Sequence, residues 1–316
     1  MSSIKVSLFG KFNISYEEKS TRIRARKVQE LLIYLLIFRS HPQPRESLSE
    51  ILWADQPAII SKKNLRQTLW HLQSAFKEFK SSSGLELLIE DGWIHIRLPT
   101  DFWLDTAEFE CVFDRVSHRP APELSREDFA AMQYAVSLYT GDLLEGWYQD
   151  WCVFERERFQ MMNLMLLDKL VQYCEMHGEY DAGLFYGWQI LRHDHAYERA
   201  HRQVMRLYTM SGDRTQALYQ YQRCVNALRD ELGVEPSART RQLYEQIQAD
   251  TLRLPIFRGE MLDSEKDEVA SALKDVLDRL EQFSSTLKSM DTQVQKEIAA
   301  LASRLADHAK RTSRKA

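Results

Sequence analysis

The apolar positions of the chain switch period twice within the first hundred residues. "IKVSLFG" and "KFNISY" alternate apolar and polar residues on either side of Gly10 and Lys11, the pattern of a short antiparallel pair, with "STRIR" as a third strand. "RKVQELLIYLLIFRS" then takes up helical spacing, and "PRESLSEILW" predicts a second, shorter helix beginning after Pro44. A third helix is expected to open near Ser61, a residue type that caps a first turn. Its Leu65, Leu69, Leu72 and Phe76 stand at 4, 3, 4 spacing and build one apolar stripe. Alternation returns in "LELLIE" and "WIHIRLP", separated by Asp91-Gly92, a strong hairpin signal. The predicted order is strands, three helices, hairpin.

The polar side of the third helix is unusual. Asn64, Gln67, Thr68, His71 and Ser74 are read opposite the stripe, and Lys62, Lys63 and Arg66 crowd its N-terminal end. A solvated helix more often shows Glu and Lys in i,i+4 pairs. Amide side chains can pair bidentately with adenine, and cations beside free backbone N–H groups neutralise phosphates. The bland alternative is an ordinary amphipathic helix.

Further on, "HGEYDAGLFY" from His177 matches "SGDRTQALYQ" from Ser211, with Gly178 on Gly212 and Leu184 on Leu218, an offset of 34 residues. That is the period of tetratricopeptide helix pairs, in which a Gly between the two helices permits the tight turn. "FERERFQMMNLMLLDKLVQYCEM" and "YERAHRQVMRLYTM" supply the preceding helices, "REDFAAMQYAVSLYTGDLLEGW" another helix running into a turn, and "SARTRQLYEQIQ" after Pro236 a capping helix.

A heptad seam closes the chain. Val269, Leu273, Val276, Leu280, Phe283, Leu287, Met290 and Val294 follow one another at 4, 3, 4, 3, 4, 3, 4, and Ile298, Leu301 and Leu305 resume after a shift. A lone helix must bury such a stripe by pairing with its twin, packing back on the repeats or receiving a partner helix, and self-pairing through Leu273, Leu280, Leu287 and Val294 is the favoured expectation.

Composition adds charge asymmetry. With 44% hydrophobic and 28% charged residues, the 316-residue chain is ordinary for a globular protein. Its net charge is −4, yet residues 1–100 hold 15 Lys and Arg against 10 Asp and Glu, net +5, which leaves −9 on the rest. One end is suited to a polyanion and the other is not. The longest apolar run, "LLIYLLIF", is too short to span a bilayer, so no membrane association and a cytoplasmic location are expected. Cys111, Cys152, Cys174 and Cys224 are widely spaced without a CxxC, which predicts free thiols.

Catalysis has no visible foothold, and no enzyme activity, cofactor or metal is expected. His193, His195 and His201 lie close in sequence, but residues two apart on a helix face different sides and no Cys completes a ligand set. "ERER" from Glu155 to Arg158 reads as ion-paired surface. There is no P-loop, no GxGxxG after a strand and no GxSxG.

Two stretches carry a resemblance. "RKVQELLIYLLIFRSHPQPRESLSEILWADQPAIISKKNLRQTLWHLQSAF", with Arg26 ahead of the first apolar helix, Leu52-Trp53 and "NLRQTLWHL", resembles the OmpR-like winged helix of the Streptomyces antibiotic regulatory protein (SARP) family. "ALYQYQRCVNALRDELGVEPSARTRQLYEQI", with "ELGVEPS" its most specific element, is similar to the end of the bacterial transcriptional activator domain of the same family. The resemblance runs roughly over residues 4–250. It implies a third helix lying in the major groove, with Asn64, Gln67, Thr68 and His71 toward base edges and Lys62, Lys63, Arg66, Trp70 and Gln73 nearer phosphates. It also implies a hairpin wing carrying Trp93, His95 and Arg97 toward the minor groove, and an activator domain that pairs protomers and contacts RNA polymerase. The chain departs from the family pattern by lacking arginines in the second half of the third helix and by placing Ile89-Glu90-Asp91 before Gly92-Trp93.

The expected fold is mainly α with a small β component: a winged helix-turn-helix over 1–100, tetratricopeptide-like repeats over 101–250, and a linker with an amphipathic, coiled-coil helix over 251–316. The expected function is a sequence-specific transcriptional regulator, an activator binding direct-repeat sites on double-stranded DNA as a homodimer. The alternative is a protein-interaction scaffold whose winged helix has lost DNA.

Overall fold

The computed structural model describes residues 4–16, 19–20, 23–78 and 85–252, which fall within one compact unit, Met1–Leu254. The heptad positions Leu273, Leu280, Leu287 and Val294 lie outside the described residues.

The alternating N-terminal segments form β1 (Ile4–Ser7) and β2 (Asn13–Tyr16), antiparallel, with β3 (Lys19–Ser20) on the outer edge of β2. The third strand therefore precedes most of "STRIR", and Ile23 and Arg24 are not in a strand. β7 (Trp103–Leu104) pairs parallel to β1 on the other side, giving the order β3-β2-β1-β7.

Three helices follow: α1 (Arg26–Ile37), α2 (Arg45–Leu52) and α3 (Ala58–Glu78). The run Leu31, Leu32, Ile33, Leu35 and Leu36 is buried on every side, so α1 is a central helix and not an amphipathic surface one. The hairpin of β5 (Glu86–Glu90) and β6 (Trp93–Arg97) turns at Asp91 and Gly92 with φ of 47° and 83°, a type I′ turn. A short β4 (Gln43–Pro44) between α1 and α2 pairs with β6, so the wing is a three-stranded sheet, β4-β6-β5.

The remainder is antiparallel helices: α4 (Asp105–Val116), α5 (Arg126–Leu138), α6 (Asp150–His177), α7 (Tyr180–His193), α8 (Glu198–Met210), α9 (Arg214–Leu232) and α10 (Ala238–Gln248). Gly178 and Gly212 occupy the equivalent turns of α6–α7 and α8–α9 at φ 74° and 85°, where a side chain would be strained. Successive helices pack on one another in sequence order, as in a helical-repeat stack.

One hydrophobic core runs from Ile4 through α1 and the wing to Leu207 of α8. The seam between its halves is also hydrogen-bonded. Gly10 N–H donates to Asp142 O at 2.9 Å, Leu144 N–H to Leu8 O at 2.8 Å and Glu145 N–H to Gly10 O at 2.8 Å, which lock the β1–β2 turn to the segment before α6. Asp105, at the start of α4, accepts the N–H groups of Leu8 and Phe9 at 2.7 and 2.9 Å. Glu110 of α4 pairs with Arg39 after α1 and, at 2.6 Å, with Arg158 of α6. Arg156 donates to the carbonyls of Leu143, Leu144 and Trp147. The "ERER" stretch is therefore structural on both arginines.

Candidate nucleic-acid interface

Between Ala58 and Lys77, α3 carries Lys62, Lys63, Arg66 and Lys77 and no carboxylate. The helix starts earlier than Ser61 because Pro57 presets the entry. Ser61 lies inside the first turn, buried, with its hydroxyl against the carbonyls of Trp53, Gln56 and Pro57 at 3.2 to 3.3 Å. It ties the α2–α3 connection to the helix and is not the cap.

Burial decides which side chains α3 presents. Lys63, Arg66, Gln67, Trp70, His71, Gln73 and Lys77 are exposed, and Trp70, 63% accessible, stands in the middle of that arc with its ring edge-on to His71 at 5.0 Å. Lys63, Arg66 and Lys77 make no ion pair among the described residues. Asn64 is half-buried at the edge of the arc, donating to Gln56 Oε1 at 2.7 Å. Ser74, also half-buried, donates its hydroxyl to Trp70 O at 2.9 Å.

Two expected contacts change. Thr68 is 7% accessible and faces the core. It stands three residues after Leu65 and four before Leu72, on the buried ridge, so it cannot reach a base edge from this helix. Lys62 reaches back to Glu46 of α2 at 2.7 Å, and that hydrogen bond and charge hold the Glu46 carboxyl below its usual range. One of the four helix cations is thus already paired.

On the wing, Trp93, His95 and Arg97 alternate with the buried Ile94 and Ile96 and so share the opposite face of β6. Trp93 is half exposed. His95 Nδ1 is buried without a hydrogen-bond partner among the described residues, and Arg97 pairs with Glu86 across the hairpin at 3.1 Å. Glu90 and Asp91 are exposed at the tip. Arg26, singled out in the sequence, lies over the ring of Trp147 at 3.5 Å and joins α1 to the helical half.

The candidate metal cluster does not assemble. His201 is buried, bonded to His195 O and Gln220, and no group of three or more potential ligands occurs among the described residues. Nor is any described helix long and apolar enough to cross a membrane.

Comparison with known proteins bears on the helical half first. Residues 104–248 match the family model described as the bacterial transcriptional activator domain. These residues are similar to that domain over their whole matched length. The match begins where β7 ends and covers α4 to α10. The whole described fold is similar to a solved structure of Mycobacterium tuberculosis EmbR in complex with a low-affinity phosphopeptide, at TM-score 0.69 and 17% identity, covering 88% of this chain and 72% of that one. No curated protein matches the chain in sequence. The described chain thus joins a winged helix to a helical region similar to the bacterial transcriptional activator domain.

Proposed function

We propose that the chain is a sequence-specific DNA-binding activator that docks α3 in the major groove. The observation that carries this reading is the outward arc of α3: Lys63, Arg66, Gln67, Trp70, His71 and Gln73 all face solvent on a helix with no carboxylate before Glu78. Lys63, Arg66 and Gln73 take phosphates, Gln67 and His71 read base edges, and Asn64 reads after releasing Gln56. Trp93 approaches the flanking backbone. Arg97 does so after exchanging Glu86 for phosphate.

Three cations per reading helix without an ion pair among the described residues make for weak binding by one copy. Two tethered copies on direct-repeat half-sites raise the effective concentration of the second into roughly the millimolar range. Dimerisation through the activator domain or the seam of Leu273, Leu280, Leu287 and Val294, and contact of the activator domain with RNA polymerase, complete the proposal. The protein then works in the bacterial cytoplasm, on the nucleoid when bound.

A scaffold reading is favoured by Glu90 and Asp91 at the wing tip, which oppose the negative potential of a narrow minor groove. Affinity selection of fragmented genomic DNA by the full-length protein, beside a Lys63, Asn64 and His71 triple alanine variant, separates the two. A repeated motif with half-sites about one helical turn apart, lost in the variant, supports the activator. Equal recovery by both proteins supports the scaffold.

A further inference from the structure

Where α7 of the first repeat meets α8 and α9 of the second, the surface opens into a cleft of about 520 Å³. Its walls are largely apolar. Trp188 and Leu191 come from α7 and Ala227 from α9, and Leu191 is almost fully buried. Two exposed arginines, Arg192 from α7 and Arg223 from α9, also line it. Arg192 makes no ion pair among the described residues, and Arg223 lies over the Trp188 ring at 5.0 Å.

A buried polar chain holds Arg223 in place. Gln220, fully buried, donates through Nε2 to His201 Nδ1 at 2.7 Å, and its Oε1 accepts from Arg223 at 3.4 Å. His201 in turn donates Nε2–H to His195 O at 2.8 Å, which assigns its tautomer. Burial lowers the His201 pKa, so the ring keeps the neutral form that both bonds require. A polar pair at this depth costs stability unless each atom is bonded, and here each bond also fixes a wall of the cleft.

We propose that this cleft binds a small amphipathic anion, an aryl or alkyl carboxylate or sulfonate, with its charged group between Arg192 and Arg223 and its apolar body on Trp188 and Leu191. The volume falls in the range of small-molecule sites, and an apolar lining with a few convergent polar groups is their usual make-up. Guanidinium forks match carboxylate and sulfonate geometry. Among the described residues no carboxylate lines the cleft, and Glu231 lies 3.8 Å from Nδ1 of His195, which does. A ligand seated there touches both repeats at once and restrains their packing, so the activator domain gains an effector site away from α3. The inference does not depend on DNA binding.

The test is titration of the full-length chain with anilinonaphthalene sulfonate, an aromatic sulfonate whose fluorescence rises on apolar burial. Saturable binding of one probe per chain is expected, displaced by phenylbutyrate and not by phenylbutanol. The Arg192→Gln, Arg223→Gln double variant should bind about tenfold more weakly or worse while still unfolding in one cooperative transition, and Arg192→Gln alone, which removes no contact among the described residues, should weaken binding with its unliganded Tm unchanged. An unchanged affinity in the double variant, equal displacement by the neutral alcohol, or no saturable binding overturns the proposal.

Discussion

The carboxylate of Asp105 accepts the backbone N–H of Leu8 at 2.7 Å across 97 positions of sequence, and with it that of Phe9. Its other oxygen accepts Thr106 N–H at 2.7 Å, so one side chain both opens α4 and finishes the edge of the N-terminal sheet. Burial outweighs these donors and raises its pKa to about 6 from 3.8. An acid raised in the folded state gives stability that is fully present below about pH 3.8 and is lost as the pH rises through about 6. Relative to Asp105→Asn, which mimics the protonated form, the parent should therefore lose about 1–1.5 kcal/mol between about pH 5 and pH 8. Urea unfolding at the two pH values measures this, and a difference that does not move with pH refutes it. Asp105→Ala, which orphans buried N–H groups, should cost about 3 kcal/mol.

DNA binding, if it runs through α3, has a salt signature. With Lys63, Arg66 and Lys77 unpaired among the described residues, the slope of log K against log salt should be about −3 per bound winged helix, and Lys63→Ala should make it about one less steep on every duplex. Gln67→Ala and His71→Ala should relax specificity, costing about 1–3 kcal/mol on the preferred site alone. Thr68→Val should leave sequence preference intact, since that side chain faces the core. Competition binding with cognate and random duplexes separates these outcomes.

Helix α7 approaches α8 over two glycines. A Cβ at Gly187 would lie 2.6 Å from Cγ2 of Val204, a stiff β-branched neighbour, whereas one at Gly183 would meet Leu207 at 3.0 Å. Gly187→Ala should destabilise by about 1–2 kcal/mol despite its better helix propensity, and Gly183→Ala should be milder. Chemical denaturation that finds Gly187→Ala more stable than the parent would show slack in this contact.

Thiol chemistry should divide the cysteines sharply. Burial pushes Cys152, Cys174 and Cys224 each up to about 12, while Cys111 is exposed on α4. Titration with a chromogenic disulfide should find one fast thiol in the folded chain and all four in denaturant. Two fast thiols in the native protein would contradict the packing around α6 or α9.

Much of the architecture was legible because long elements repeat their period. The stripe of α3, the Asp91-Gly92 turn and the 34-residue offset of Gly178 and Gly212 needed no tertiary information. The two-residue strands β4 and β7 are too short to show alternation and exist only because β6 and β1 offer them edges. Helix α4 lies outside the elements expected from the sequence, although Phe109, Phe113 and Val116 carry a helical spacing after Asp105. Thr68 departs from its expected face for a different reason. Its hydroxyl marks it as polar, but its angle around the helix puts it between Leu65 and Leu72, and a threonine methyl is at home there.

The pairing of β7 with β1 has a consequence for how such proteins can be assembled by recombination. A cut at residue 100 would leave β1 an open edge and strip Leu8 and Phe9 of their acceptor, exposing a bare strand template to other chains. A winged helix from this lineage can be transplanted onto a foreign partner only if it takes Trp103, Leu104 and Asp105 with it. Gene fusions that survive should therefore have their joints downstream of Asp105.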